Sequence, residues 1–69
     1  MNTISKKFGG EVGSLEGRKF KYTGNLWFPR ESEITLEEDD DTEMPLFSGR
    51  DYEGVFDFFY IDTREVELI

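Results

Sequence analysis

Apolar and polar residues alternate along the chain from Phe20 to Phe28. Every second position carries an aromatic residue, leucine or glycine, and the positions between carry lysine, threonine, asparagine and Trp27. A period of two sustained over this length is typical of a strand with one buried face. Pro29 follows and cannot donate to a strand ladder, so we expect the strand to end there. The pattern predicts one long strand with Trp27 on its outward side.

Three other segments carry strand signals, and a fourth is ambiguous. Ser32 to Glu37 alternates, Tyr52 to Ile61 is dense in aromatic residues, and Val66 to Ile69 has a glutamate between apolar residues. Met44 to Phe47 is also apolar, but Pro45 argues against a central strand there. The chain therefore predicts four strands and allows a fifth at Met44 to Phe47.

The segments between these strands are predicted to be turns and loops. Ser48 to Asp51 and Asp62 to Glu65 contain residue types that favour turns. Residues 37–43 contain six acids in seven positions, which predicts a solvated loop because like charges repel. Residues 1–14 are predicted to be a flexible arm or to hold one short helical turn. Ile4 and Phe8 are four positions apart, Ser5 is a candidate cap, and Gly9-Gly10 would end the turn.

The segment from Val55 to Ile61 leaves two interpretations open. Its apolar residues fall on both faces of a strand, with Asp57 among them. Such a strand is either central in its sheet or presents one face, with Phe56, Phe58 and Tyr60, to a partner or a second copy. The central position is favoured because an exposed apolar edge invites aggregation.

Short strands separated by turn residues predict the fold class. The chain has 69 residues and no alanine, the best helix former, while aromatic residues reach 16%. We expect a single all-β domain over residues 1–69: a small antiparallel barrel or sandwich of four or five strands, with at most a short N-terminal helix.

The spacing of the strand residues resembles that of Sm-like proteins. The resemblance lies in Phe20-x-Tyr22-x-Gly24-x-Leu26 with Ile34-x-Leu36, and in Tyr60 to Thr63 with Val66 and Ile69. It implies a small barrel of the SH3-like kind. Where that family's motifs contact RNA, this chain carries Pro29 to Ser32 and Asp62-Thr63. The resemblance therefore does not extend to RNA binding.

Two missing residue types exclude several kinds of catalytic chemistry. The chain has no cysteine and no histidine, which removes thiol nucleophiles and serine–histidine triads. Asp57 is the best candidate for a catalytic carboxylate because it interrupts an apolar strand. A solvent-edge position or an ion pair with Arg18 or Lys21 explains it more simply. We expect no enzymatic activity and no cofactor.

A metal site is not expected either. Asp39, Asp41 and Glu43 alternate as carboxylates do in calcium loops. The sixth position counted from Asp39 is Met44 instead of glycine, and the twelfth is Arg50 instead of glutamate. The EF-hand pattern therefore fails.

Charge is the most distinctive feature of the composition. The net charge is −8, with a balance of +4 over residues 1–30 and −12 over residues 31–69. Carboxylates arrayed about as densely as phosphates can occupy a basic groove that otherwise holds nucleic acid. Small acidic inhibitors from phages and mobile elements act in this way as DNA mimics, and this chain is similar to them in size and charge.

The favoured hypothesis is a non-enzymatic acidic module that inhibits a basic nucleic-acid-binding protein. Carboxylates would supply the charge, and an aromatic residue would serve as the anchor. The predicted partner-binding residues are Glu37, Glu38, Asp39, Asp40, Asp41 and Glu43, with Trp27, Phe47 and Tyr52 as anchors.

Two other functions are consistent with parts of the sequence. The alternative is a structural or assembly module that forms homo-oligomers through strand edges, with the acidic loop merely solvated. Direct nucleic-acid binding has Arg18, Lys19 and Lys21 near Trp27 in its favour, but a charge of −8 repels phosphate. No apolar run reaches the length of a signal peptide or a membrane span, so we expect a soluble cytoplasmic protein.

Overall fold

A computed structural model describes residues 2–69 of the chain, which form one short helix and five strands. The elements are α1 (Ile4–Phe8), β1 (Lys19–Tyr22), β2 (Glu33–Glu38), β3 (Leu46–Arg50), β4 (Phe56–Tyr60), a 3₁₀ turn (Thr63–Glu65) and β5 (Val66–Leu68). No helix in this part of the chain is long and apolar enough to cross a membrane. The mainly-β fold with a short N-terminal helix is confirmed.

All five strands belong to one antiparallel sheet in the order β4-β3-β2-β1-β5. Neighbours in the chain pair with one another from β1 to β4, and β5 returns to pair with β1. The sheet does not close on itself, so β4 and β5 are its two edges. The predicted barrel or sandwich is therefore realised as an open sheet with one buried face.

The buried face of the sheet, here called the inner face, carries the core. Phe20 and Phe47 are fully buried and meet edge-to-face, with ring centroids 5.4 Å apart. The helix α1 contributes Ile4 to the same cluster. The core residues are Ile4, Phe20, Tyr22, Phe28, Ile34, Leu36, Phe47, Ile61 and Val66. Aromatic rings supply much of the apolar area that a chain of this size can bury.

The N-terminal helix is tied to the end of the sheet through Lys7. Thr3 caps the helix by accepting the N–H of Lys6. The Lys7 ammonium donates to the carbonyl of Thr63 at 2.7 Å and to that of Val66 at 3.0 Å. These bonds hold α1 against β5 and occupy a carbonyl on that strand.

The first strand is shorter than predicted and ends at Tyr22. Residues 23–28 instead form a loop that folds over the Tyr22 side chain, whose hydroxyl accepts the N–H of Leu26 at 3.2 Å. A Cβ on Gly24 would lie 2.6 Å from that hydroxyl oxygen, so glycine permits the close approach. Phe28 is buried and Leu26 is exposed, so the alternation breaks and the prediction of a strand to Phe28 was wrong.

The third strand runs through residues predicted to be a turn. Ser48 and Gly49 lie inside β3, and the turn follows from Asp51 to Gly54. A Cβ on Gly49 would lie 2.8 Å from Ile34 Cγ2. Gly49 is therefore required by the packing of the core, although glycine in a sequence also favours a turn. The strand is also central despite Pro45, which precedes its first residue.

The aromatic strand β4 is an edge strand, so the prediction of a central position for Val55 to Ile61 was wrong. Only β3 pairs with it. No further element within residues 2–69 covers its outer side, and all of β4 except Phe59 is exposed.

Replacing Tyr22 with phenylalanine tests the loop anchor. The Tyr22→Phe variant keeps the buried ring but loses the acceptor for the loop N–H groups. It should lower the free energy of unfolding by about 1–2 kcal/mol. Urea unfolding followed by Trp27 fluorescence measures the change. Tyr60→Phe, at an exposed hydroxyl, is the matched control, and equal loss in both variants would contradict the anchor role.

The pH dependence of stability tests the cap of the 3₁₀ turn. Asp62 accepts the Arg64 N–H at 2.9 Å, and the Arg64 guanidinium lies 2.7 Å from its other oxygen. The guanidinium hydrogen bond, followed by the backbone one, lowers the pKa of Asp62 below its ordinary value of 3.8. A lowered folded pKa stabilises the fold above that value, and the gain is lost as the pH falls through the lower folded pKa.

Asp62→Asn should therefore be less stable than the natural chain at neutral pH, and the difference should shrink in strong acid. Urea unfolding at several pH values measures it. Arg64→Gln should flatten the same part of the pH profile because it removes the partner. A stability difference that stays constant down to about pH 2 would contradict the assignment.

Candidate functional site

Three large side chains stand exposed in a row on β4. Phe56, Phe58 and Tyr60 are 52%, 49% and 60% exposed, and they share the outer face of the sheet. Phe56 and Phe58 contact each other edge-to-face at 5.2 Å. We call these three residues the aromatic edge. Exposed aromatic residues gathered on one strand are typical of a binding surface.

The backbone of the aromatic edge also faces away from the sheet. Asp51 donates its N–H to Val55 at one end of the β3–β4 pair, and Ile61 donates to Pro45 at the other. Hydrogen-bonded and non-bonded pairs alternate in an antiparallel ladder. Between those ends, the backbones of Asp57 and Phe59 therefore face β3. Those of the aromatic edge point to the open side.

Asp57 covers part of this open side. Its carboxylate accepts the N–H of Phe58 at 2.8 Å. Within residues 2–69, no side chain accepts the N–H of Phe56 or Tyr60. The strand therefore keeps unpaired donors and acceptors along its free edge, which is a template for a further strand.

The other edge of the sheet is better protected. The strand β5 has three residues, against five in β4. Its Val66 carbonyl accepts the Lys7 ammonium. A short edge with a lysine over it is a common protection against strand pairing. The two edges therefore differ, and β4 is the one that offers a surface.

Two of the three predicted aromatic anchors are exposed, and the third is buried. Trp27 stacks on Phe59, with ring centroids 4.8 Å apart and planes 17° apart. The Tyr52 hydroxyl donates to the carbonyl of Asn25 and so connects the β3–β4 turn with the loop 23–28. Phe47 is fully buried in the core. It cannot contact a partner, and its assignment as an anchor was wrong.

The predicted acidic cluster divides into one buried and five exposed residues. Asp39 is only 6% exposed, and its carboxylate accepts the N–H groups of Gly13 and Asp41. Its own N–H donates to Glu16. Asp39 therefore organises the loop instead of meeting a partner, which corrects its assignment. The exposed members are Glu37, Glu38, Asp40, Asp41 and Glu43.

Carboxylates lie at both ends of the aromatic edge. The loop through Asp40, Asp41 and Glu43 leads into β3 at Leu46, which is the register partner of Tyr60. At the other end, the turn that carries Asp51 and Glu53 leads into Phe56. The chain thus brings separate acidic segments to the two ends of one aromatic strand.

Few of these carboxylates are neutralised by ion pairs. Residues 2–69 contain two ion pairs, Lys21 with Glu67 at 3.4 Å and Arg64 with Asp62 at 2.7 Å. Neither pair involves the carboxylates at the ends of β4. With a net charge of −8, the field around this strand is negative and attracts cations and basic surfaces.

A shallow groove crosses the outer face next to the aromatic edge. It has a volume of about 410 Å³ and is open to solvent. Its walls include Phe56, Arg50, Ser48, Thr35 and Lys19. Lys19 donates to Thr35 at 2.7 Å, and Arg50 donates to the carbonyl of Gly54 at 2.9 Å. Both cationic side chains thus form hydrogen bonds within the protein.

The structure places both the candidate catalytic residue Asp57 and the candidate metal ligands of the acidic loop. Asp57 is exposed on β4 and does not lie in a buried pocket. Its carboxylate accepts the N–H of Phe58. No group of three or more carboxylates in residues 2–69 is placed to hold a metal ion.

Comparisons with known proteins provide no relative. No protein-family model matches the chain, and no curated protein or solved structure shows a significant similarity. The resemblance to Sm-like proteins therefore remains one of strand spacing.

Replacing each of two neighbouring aspartates with alanine tests the division of the acidic cluster into buried and exposed residues. Asp39→Ala should lower the free energy of unfolding by about 1–2 kcal/mol because two N–H groups lose their acceptor. Asp40→Ala, with the same change of charge at an exposed position, should stay within about 0.5 kcal/mol of the natural chain. Urea unfolding measures both, and equal effects would contradict a structural role for Asp39.

Proposed function

We propose that this protein is a non-enzymatic binding module for a protein with a basic surface. One observation carries the proposal: an exposed aromatic strand with an open backbone edge lies between two groups of carboxylates that form no ion pair within residues 2–69. The aromatic side chains would supply the area removed from water. The carboxylates would steer the encounter and select against acidic partners.

The module is proposed to act as an inhibitor that competes with nucleic acid. A protein surface that binds the phosphate backbone is rich in lysine and arginine. The exposed carboxylates of residues 37–43 are arrayed densely enough to engage such a surface. A small, acidic inhibitor of the kind found in phages and mobile elements would have this combination of charge and aromatic anchors.

A second candidate is a module that assembles with copies of itself. The open edge of β4 favours it, because a free strand edge pairs readily with another strand. Light scattering separates the two candidates. An oligomer whose size does not change with concentration favours assembly, and a monomer favours a different protein as partner.

Capture from a lysate of the native host, at low and raised salt, tests the proposal. The immobilised natural chain should retain a basic nucleic-acid-binding protein. Added DNA or RNA should release that protein by competing for its basic surface. The Asp40→Asn/Asp41→Asn variant should associate with the isolated protein about threefold to tenfold more slowly at low salt. Asparagine suits the positive φ of residue 41, so the loop should be retained.

Glu11→Gln/Glu31→Gln is the matched control, because it changes the net charge equally in other loops. If it slows association as much as the aspartate variant, the exposed loop is not a contact surface. Recovery of the chain alone would contradict the proposal and favour the assembly module.

A further inference from the structure

We propose that β4 takes up an extended segment of the basic partner as a sixth strand of the sheet. The inference rests on the proposed function and specifies how the partner binds. It is carried by two features of β4: which of its residues direct their N–H and C=O groups away from β3, and which side chains lie on its two faces. Main-chain hydrogen bonds would give the binding its direction, and side chains would give it selectivity.

The hydrogen-bonding capacity of the edge is set by alternate residues. Phe56, Phe58 and Tyr60 direct their N–H and C=O groups to the open side, as the bonds at both ends of the β3–β4 pair establish. Their spacing is that of an ordinary antiparallel ladder, since the β3–β4 register runs without a bulge. A partner strand therefore finds a regular row of donors and acceptors.

The side chains on β4 indicate the sequence of the partner segment. On the outer face, the aromatic edge offers an apolar row, so the partner's apolar residues belong there. On the inner face, Asp57 is exposed and offers a carboxylate. Because side chains alternate between faces, a segment with lysine or arginine at every second position and apolar residues between them fits both.

Asp57 would keep the edge selective. In the free chain its carboxylate occupies the Phe58 N–H. A charged residue on an edge strand discourages pairing with other strands. A lysine or arginine of the partner segment would draw the carboxylate away and expose the N–H. Acidic or neutral segments lack that means of displacing it.

A second copy of the chain is a poorer occupant. Two copies would each bring a net charge of −8 to the contact. The remaining free edge, β5, is three residues long and has its Val66 carbonyl bonded to Lys7. Charge and hydrogen bonding both favour a basic segment from a different protein.

The test uses the peptide acetyl-KVKVKVKV-amide with the isotope-labelled natural chain. We expect chemical-shift changes and slower amide exchange at Phe56, Phe58 and Tyr60 when the peptide is added. The peptide acetyl-EVEVEVEV-amide has the same alternation with opposite charge and should not bind. The peptide acetyl-KVKPKVKV-amide keeps the lysines but interrupts the ladder, and it should bind about tenfold more weakly.

Two variants separate the side chain from the backbone. Phe58→Ala removes the ring but keeps the outward N–H, and should weaken peptide binding about tenfold. Phe58→Pro also removes the N–H without taking a hydrogen bond from β3, and should weaken binding by roughly a further fivefold. Trp27 fluorescence checks that each variant folds. If Phe58→Pro does not fold, the amide exchange of the labelled natural chain with the peptide decides the question.

The outcomes distinguish this inference from the proposed function. Shifts confined to residues 40–43 would overturn strand addition while leaving an acidic binding module. No shift at all would overturn strand addition, and the capture experiment would still decide the proposed function. Equal binding of the proline-containing peptide would show attraction by charge alone and overturn strand addition. Dimers of the natural chain that lose their contact in Phe58→Ala would overturn the basic partner and make a second copy the occupant of β4.

Discussion

A chain of this size can bury only one face of its five-stranded sheet, and the rest of the structure depends on that limit. The core takes up nine apolar residues, with Phe20 and Phe47 fully buried at its centre. Small domains bury a smaller share of their surface than large ones do. Aromatic residues that find no place inside must lie on the surface, and three of the five exposed ones are gathered on β4.

An exposed aromatic strand is a hazard unless something restrains it. Unpaired edges of β-sheets pair with other chains, and apolar side chains strengthen the contact. In this protein the restraint is electrostatic, because Asp57 occupies one edge N–H and acidic turns lie at both ends of β4. If β4 binds a basic segment as proposed, the same charges would disfavour a second copy of the chain and favour a basic strand. Protection and selectivity therefore have one physical origin.

Local patterns allowed most elements to be predicted, but not their order in the sheet. The segments Ser32 to Glu37 and Val66 to Ile69 alternate cleanly, and both appear as strands close to those bounds. Phe20 to Phe28 alternates too, yet the loop folds over Tyr22 after four strand residues. That fold depends on the hydrogen bond from Leu26 to the Tyr22 hydroxyl and on the close approach of Gly24 to the same ring. Alternation of apolar and polar residues does not predict either contact. Gly49 misled for a related reason, since its lack of a side chain serves the packing of Ile34 and Phe28.

The candidate site was predictable in its residue types and not in its geometry. An aromatic strand with both faces apolar is consistent with a central strand and with an interface, and only its pairing partners separate the two. In the acidic cluster too, the residue types do not reveal which side chains are free to meet a partner. Asp39 and Asp40 are neighbours with the same side chain, yet one accepts two loop N–H groups and the other stands in solvent. Density of charge in a sequence measures the field that a partner meets at a distance. Which carboxylates it touches depends on which of them the fold has already used.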